Sequence, residues 1–208
     1  MDPEARDRLE RDVRALCQRG DHTAAATMAI RGYGPEILGF LHAVHASETD
    51  ASDAFAELSE ILWRKLPDFG WESTLRTWAY AIARNVSRVL RRNAGRRRRR
   101  EGAVGDSALD GVANRVRTET LAHLRTQTKT RLQELRDSLP KEDRMLLVLR
   151  VDRNLEWNDL ARVLAEGDDG TAPLADADVT REAARLRKRF QLLKEKLREM
   201  AKREGLTG

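Results

Sequence analysis

A dense run of arginines is the part of this sequence best suited to binding another molecule. Nine arginines and no acidic residue lie between Arg84 and Arg100, and five of them are consecutive, at 96–100. Such a run repels itself unless a polyanion neutralises it, and the planar guanidinium can bond two phosphate oxygens at once. A solvated helix face with a basic tail is the alternative, but such a face usually mixes both signs. The run therefore indicates a nucleic-acid partner.

Aromatic side chains are interleaved with these arginines. Aromatic rings stack on unpaired bases while cations follow the backbone, which is how proteins hold single-stranded DNA. Trp78 falls on the apolar stripe of its predicted helix, so a core position is the stronger interpretation for it. We expect Tyr80 to point outward and Trp71 to lie in a loop, which makes these two the better candidates for contact with bases.

Two consecutive amphipathic helices must position these groups. The first has an apolar face of Phe55, Leu58, Leu62 and Leu66, and an opposite face of Asp53, Glu57, Glu60 and Arg64. The second has an apolar stripe of Leu75, Trp78, Ile82, Val86 and Val89, and a predicted outward face of Thr77, Tyr80, Arg84, Arg88 and Arg91. An acid-faced helix is thus followed by a basic one.

The rest of the chain also follows helical periodicity, and no strand-like alternation persists anywhere. We expect Gly32 and the Gly34-Pro35 pair to interrupt the helix that begins after Asp21. Composition shifts to arginine and glycine after Asn93, which is typical of an exposed linker. The fold class is therefore predicted as all-α, with two small helical domains at 1–94 and 130–208 joined by a basic, partly helical linker at 95–129.

The C-terminal part of the sequence predicts a short helix over 155–164, a turn-rich loop, and a long helix from Val179. In a helix-turn-helix motif the second helix enters the major groove and its first turns meet base edges. Arg181, Arg185 and Lys188 lie near the start of this second helix, opposite its apolar seam. Basic helices are common, so a helical hairpin that binds nothing is an equally weighted alternative.

Composition limits the other possibilities. The chain has 208 residues, a net charge of +5, and one cysteine, Cys17, so no disulfide can form within it. The histidines lack the cysteine spacing of a zinc site, and no nucleophile–base pair or phosphate-binding glycine loop is present. No apolar run approaches the roughly 20 residues that cross a bilayer, and the charged N-terminus does not resemble a secretory signal. We expect a cytoplasmic protein that is not an enzyme, with no catalytic residues, metal site, cofactor or membrane contact.

Taken together, these segments resemble the sigma-70 family of bacterial RNA polymerase sigma factors, specifically its two-domain extracytoplasmic-function group. Members of that group typically show an acidic helix, an aromatic residue, Leu-x-x-Phe, a loop, Thr-Trp-x-Tyr-x-Ile-Ala-x-Asn and a basic run. The stretches LQELRDSLPKEDRMLLVLR and LEWNDLARVL resemble the fourth conserved region of the family. The matching positions of the first motif are Asp53, Glu57, Trp63, Leu66, Phe69, Thr77, Trp78, Tyr80, Ile82, Ala83 and Asn85.

The sequence also departs from the family pattern. Ala56 replaces a common glutamine in the acidic helix, and Gly70-Trp71 stands where Arg-Gly is common, in the loop that captures a flipped promoter base in this family. Glu156 replaces a Ser or Thr helix cap. The segment AEGDDGTAPLADAD is longer than the usual turn between the two helices of the motif.

The resemblance implies a sigma factor that recruits core RNA polymerase to promoters and helps to open them. Its partners would be core polymerase and promoter DNA, both double-stranded and melted, with an anti-sigma factor left open as a further partner and a monomer outside the holoenzyme. Core polymerase would meet Asp53, Glu57, Glu60 and Trp63. The −10 element would meet Trp71, Thr77, Trp78, Tyr80, Arg84, Asn85, Arg88 and Arg91. The −35 element would meet Thr180, Arg181, Arg185, Lys188 and Arg189.

Two other functions remain open at this stage. One is a stand-alone helix-turn-helix regulator that uses only the C-terminal helices and leaves the acidic face without a role. The other is a non-specific nucleic-acid-binding chaperone that uses the arginine run. Its binding would ignore sequence and fall steeply with salt.

Overall fold

The computed structural model describes residues 1–45, 47–93, 108–125, 131–165 and 175–205. Within these ranges every regular element is helical, which confirms the predicted all-α class. The first four helices are α1 (Pro3–Gln18), α2 (His22–Val44), α3 (Glu48–Lys65) and α4 (Leu75–Asn93). The others are α5 (Ala108–Arg125), α6 (Arg131–Asp137), α7 (Lys141–Leu147), α8 (Trp157–Leu164) and α9 (Asp176–Arg203). None of the described helices is long and apolar enough to cross a membrane.

Helix α2 is continuous, so the predicted interruption at Gly32 and Gly34-Pro35 is wrong. Tertiary packing overrides the local signals, because neighbouring helices press closely on this segment. A Cβ at Gly32 would lie 2.3 Å from Leu9 of α1, and a Cβ at Gly34 would lie 2.8 Å from Val116 of α5. The glycines therefore allow α1 and α5 to approach α2, and they do not end the helix.

Helices α3 and α4 form the pair predicted from periodicity. The four apolar residues named for α3 are all buried, and Ser47 caps the helix by accepting a hydrogen bond from the Asp50 amide. A 3₁₀ turn, Leu66–Asp68, follows and contains Pro67. In α4 the predicted apolar stripe is buried except at Val89, which is 41% exposed.

Helix α5 packs against α2 and α3, so this part of the predicted linker lies on the N-terminal helices. Its buried side chains include Ala113 and Val116. The arginines at 96–100 and residue Ala46 lie outside the described residues.

The C-terminal helices are α6 to α9, with the predicted break between α6 and α7 at Ser138-Leu139-Pro140. A π-helical turn, Val148–Asp152, follows α7 and leads into α8. Helix α9 begins at Asp176, three residues before the predicted Val179, because the acidic residues Asp176 and Asp178 suit the positive end of a helix. Trp157 of α8 meets Phe190 of α9 edge to face, with ring centroids 5.7 Å apart.

The buried residues of the described chain form one main hydrophobic cluster that runs through both the N-terminal and the C-terminal helices. Helix α4 lies between them, with α2 and α3 on one side and α8 on the other. A smaller cluster of Leu139, Leu147 and Leu193 joins α7 to α9. The N-terminal half (α1–α5) and the C-terminal half (α6–α9) are therefore in direct contact along α4.

Candidate nucleic-acid interface

The start of α4 is held by a carboxylate that the sequence did not single out. Glu10 of α1 accepts hydrogen bonds from the Leu75 amide at 2.8 Å, the Arg76 amide at 3.1 Å and the Tyr33 hydroxyl at 2.7 Å. The first amides of a helix have no partner within the helix, and a negative charge there also matches the helix dipole. Helix α1 therefore fixes where the basic helix begins. Glu10 lies 65 residues from Leu75 in the sequence, so no local sequence pattern indicates this cap.

The loop before α4 presents an aromatic cluster. Phe69 stacks on Trp78 with ring centroids 4.6 Å apart, and Trp71 leans against Phe69 at 4.9 Å. Trp71 has a φ of 58°, a left-handed conformation that is unfavourable for a bulky residue, and the Arg14 guanidinium lies 5.3 Å from its ring. Trp78 is 7% exposed, so the core interpretation of this residue is confirmed. Trp71 lies in a loop as predicted and is partly exposed.

The predicted outward face of α4 is wrong for Thr77, Tyr80 and Arg84, which are 3%, 0% and 9% exposed. Tyr80 packs edge to face on Phe40 of α2, and its hydroxyl donates to Glu36 Oε1 at 2.7 Å. Burial raises the pKa of Tyr80 well above its usual value, and the charge of Glu36 raises it further. The helical wheel placed these residues together correctly, but a second layer of protein covers that face.

A buried ion pair holds this covered face together. The Arg76 guanidinium binds Glu36 through Nε at 2.8 Å and also through Nη2. Arg76 Nη2 also donates to the carbonyl oxygen of Arg153, at 2.6 Å. Glu36 thus accepts hydrogen bonds from Arg76 and Tyr80 of α4, while Arg76 also donates a hydrogen bond to the C-terminal half. No sequence pattern indicates the pairing of Glu36 with Arg76, because it depends on how α2, α4 and the turn at Arg153 meet in the fold.

Arg84 lies farther along α4 and binds the end of α8. Its Nη1 donates to the carbonyl oxygen of Ala165 at 2.8 Å, and its Nη2 to that of Leu164 at 3.2 Å. The adjacent Asn85 is partly buried, and its Nδ2 has no hydrogen-bond partner. Arg88 is half-buried, and the side chain of Arg91 lies outside the described residues.

The basic face of α9 contrasts with α4, because most of it is open to solvent. Thr180, Arg181, Arg185 and Lys188 are all exposed. Two ion pairs on this face lie within the helix, from Arg181 to Asp178 and from Arg185 to Glu182. Arg189 differs from this group, since its Nη2 lies 2.7 Å from Asp143 of α7. Glu156, which lies immediately before α8, makes no side-chain cap.

The acidic face of α3 is also accessible in part. Glu60 and Trp63 are exposed, with Trp63 at 45%, whereas Asp53 and Glu57 are half-buried. Glu60 pairs with Arg64 of the same helix at 3.4 Å. An exposed acid beside an exposed indole suits a protein surface that is basic and partly apolar.

The described side chains include no group of three or more that could hold a metal ion. The arrangement offers cations, aromatic rings and hydrogen-bond donors on α4 and α9. These groups serve binding, so the chemistry expected of them is recognition of an anionic polymer.

Comparison with known proteins finds a family model that matches part of this chain. A family model described as Sigma-70 region 2 matches residues 29–97, which span most of α2, all of α3 and α4, and the start of the arginine run. The chain is also similar to the RNA polymerase sigma-H factor of Pseudomonas aeruginosa, with 29% identity over 159 residues, covering 71% of this chain and 78% of that relative. No solved structure matched the chain.

The matched segment contains both the acid-faced helix and the basic helix, so it defines a sigma-70 region 2. The two matches support a sigma-70 family RNA polymerase sigma factor. This class of protein acts in transcription initiation together with core RNA polymerase and promoter DNA. The stand-alone regulator and the nucleic-acid chaperone are not favoured.

Proposed function

We propose that this chain is a two-domain sigma factor of the extracytoplasmic-function group, which docks on core polymerase through α3, opens the −10 element with α4 and its preceding loop, and reads the −35 element with α9. The observation that carries the proposal is the succession of an acid-faced and a basic helix within the segment matched by Sigma-70 region 2. The exposed basic start of α9 supports the third role. The domains would comprise 1–94 and 130–208, with 95–129 between them.

Docking on polymerase would use the exposed edge of α3. Glu60 and Trp63 lie one turn apart and face solvent, so they can meet a basic surface without rearrangement. Asp53 and Glu57, which lie in the two turns of α3 before Glu60, would add negative charge. Charge pairing of this kind accelerates association and selects the partner.

Opening of the −10 element would use the loop before α4. Trp71 is the accessible member of the aromatic cluster, and its strained backbone is the kind that functional loops hold. An unstacked base could pack on its ring while Thr77, Trp78, Tyr80, Arg84, Asn85, Arg88 and Arg91 line or support the site. Tyr80 and Trp78 would act from within the core by fixing the helix.

Recognition of the −35 element would use the first turns of α9. Arg181 and Arg185 pair with Asp178 and Glu182 of the same helix, and ion pairs made by such exposed arginines are worth about 0–1 kcal/mol. Phosphate or a guanine edge can therefore replace these acids at little cost. Thr180, Arg181, Arg185 and Lys188 would make the direct contacts, and Arg189 would join them after releasing Asp143.

The proposal includes a cytoplasmic, monomeric free protein and leaves a place for an anti-sigma factor. Such a factor would have to compete for the polymerase-facing or DNA-facing surfaces described above. No catalytic step is assigned to any residue, because recruitment and strand separation require only binding energy.

The test is co-purification with core RNA polymerase. We expect the wild-type chain to bind stoichiometrically, and Glu60→Lys combined with Trp63→Ala to lose most of that binding. These two positions are preferred to Asp53 and Glu57 because both side chains are exposed, so the fold should not change. Asp7→Lys, a charge reversal on the exposed side of α1, is the matched control and should bind normally. Failure of the wild type to bind would contradict the proposed function, and normal binding by the double variant would contradict the docking surface.

A further inference from the structure

We propose that this chain has a binding site for a small phosphate-bearing molecule, in a cavity where α1, α2, α4 and the turn before α8 meet. The cavity has a volume of about 350 Å³ and a mostly polar lining. The residues that line it are not among those assigned to polymerase or DNA above. The inference therefore goes beyond the proposed function and does not depend on it.

Three arginines bring positive charge to this cavity. Arg6 comes from α1, Arg76 from α4 and Arg153 from the turn before α8. They share the cavity with two carboxylates, Glu36 of α2 and Asp152. Because the arginines come from three separate segments of the chain, only the folded protein brings them together.

Both carboxylates of the cavity already have arginine partners. Glu36 accepts hydrogen bonds from Arg76 and from the Tyr80 hydroxyl. Asp152 pairs with Arg136 of α6 at 3.1 Å, outside the cavity lining. Of the three arginines in the lining, Arg76 is thus the one that a lining carboxylate neutralises in the part of the chain that the structure describes.

The other two arginines carry the observation that points to a ligand. Arg6 Nε and Arg153 Nε are both buried, and neither has a hydrogen-bond partner among the described residues. A buried donor without an acceptor costs free energy, and the cost is greater when the group is charged. An anion that enters the cavity could accept from both guanidinium groups and remove this cost.

Phosphate is the anion that best suits two guanidinium groups. A planar guanidinium can donate to two phosphate oxygens at once, and the tetrahedral group offers oxygens in more than one direction. The cavity lies at the lower end of the range for small-molecule sites, roughly 300–1,000 Å³, so it has room for a compact body beside the phosphate. Because the lining is mostly polar, that body would be polar too, as in glycerol phosphate.

The test is ligand binding to the free chain, measured by calorimetric titration and by thermal unfolding. The probes are glycerol phosphate and inorganic phosphate, with glycerol and with sodium chloride at matched ionic strength as controls. At about ten times its dissociation constant, each phosphate probe should raise the midpoint of unfolding by about 2–4 °C above the chloride control. Tighter binding of glycerol phosphate would assign a phosphate ester as the ligand, and equal or weaker binding would assign free phosphate. No shift by either probe beyond that of chloride would overturn the proposal.

Two variants, Arg6→Met and Arg153→Met, test where the phosphate binds. Each removes one guanidinium from the cavity and leaves an unbranched side chain, and Arg153→Met keeps the backbone carbonyl that accepts from Arg76. Each should weaken binding of both phosphate probes by at least about tenfold, as expected for the loss of hydrogen bonds to a charged group. Either variant decides the question if the other fails to fold.

Arg11→Met is the matched control, because Arg11 is exposed on the same helix as Arg6 and does not line the cavity. It should bind both probes as the wild type does. Undiminished binding by the folded cavity variants, or an equal loss in Arg11→Met, would overturn the proposal. All these measurements use the free chain without polymerase or DNA, so their outcome is independent of the proposed function.

Discussion

The two basic helices of this protein, α4 and α9, have similar sequence patterns and opposite surroundings. Each has an apolar stripe and an opposing face with several cations. On α9 most of the cationic face is open, and Arg181 and Arg185 pair with acids one turn away on the same helix. On α4 the corresponding face is covered by α2 and by the C-terminal half, and Arg76 and Arg84 are 9% exposed each. Periodicity shows which residues share a face, and only the tertiary structure shows what that face meets.

The largest expected effect is on stability, from Glu36→Ala at the covered face. The change leaves Arg76 without its carboxylate in a site where both side chains are nearly buried. Removing one member of a buried pair typically costs about 3–5 kcal/mol. The measurement is the free energy of unfolding from denaturant titration.

Glu182→Ala on α9 is the matched control, because it removes the carboxylate partner of Arg185, whose side chain is 64% exposed. It should cost at most about 1 kcal/mol. Similar losses of unfolding free energy in Glu36→Ala and Glu182→Ala would contradict the proposed difference in burial between the cationic faces of α4 and α9.

A second effect concerns the open face of α9. Arg181→Ala combined with Arg185→Ala should weaken binding to duplex DNA by about 2–3 kcal/mol, and should lower the salt slope by about two if both groups contact phosphate. Stability should hardly change, since both side chains are exposed. Fluorescence anisotropy at several salt concentrations gives both numbers.

Arg198→Ala, at an exposed position farther along α9, serves as the control and should leave duplex binding nearly unchanged. A loss of affinity as large as that of the double variant would place the DNA contact elsewhere on the helix.

A smaller effect is expected from pH. The chain has two tyrosines, and burial raises the pKa of both Tyr33 and Tyr80, with hydrogen bonds to Glu10 and Glu36 acting in the same direction. The unfolded chain loses these protons near pH 10 while the folded chain keeps them, so stability should fall as pH rises above about 10. The phenolate absorbance should appear together with loss of helical circular dichroism. Ionisation of either tyrosine in a fully helical chain would contradict the burial of that side chain.

Much of the fold could be predicted from sequence. The all-α class, the buried face of α3, the break at Ser138-Leu139-Pro140 and the exposed basic start of α9 depend on local periodicity and turn chemistry, and each is confirmed. The continuity of α2 could not be predicted, because it depends on Leu9 and Val116 packing against glycines from distant parts of the chain.

The candidate site was harder to predict for the same reason. Trp71 and Trp78 lie where their local patterns indicated, whereas Tyr80 is buried against Phe40 and Glu36, and Arg84 against the end of α8. The cap that Glu10 provides to α4 is likewise a long-range contact. Sequence patterns therefore identified the two basic helices, and long-range contacts determine which of their side chains are exposed.

The most direct test of the central claim is promoter opening by holoenzyme that contains Arg84→Ala with Arg88→Ala. The DNA would be a promoter selected by wild-type holoenzyme from a random library, with opening followed by the reactivity of unpaired thymines to permanganate. Opening should fall by at least about tenfold, as expected for the loss of two phosphate contacts, while co-purification with core polymerase stays at the wild-type level. Unchanged opening would mean that Arg84 serves only to hold the two halves together, and loss of polymerase binding would mean that α4 faces the polymerase and not the promoter.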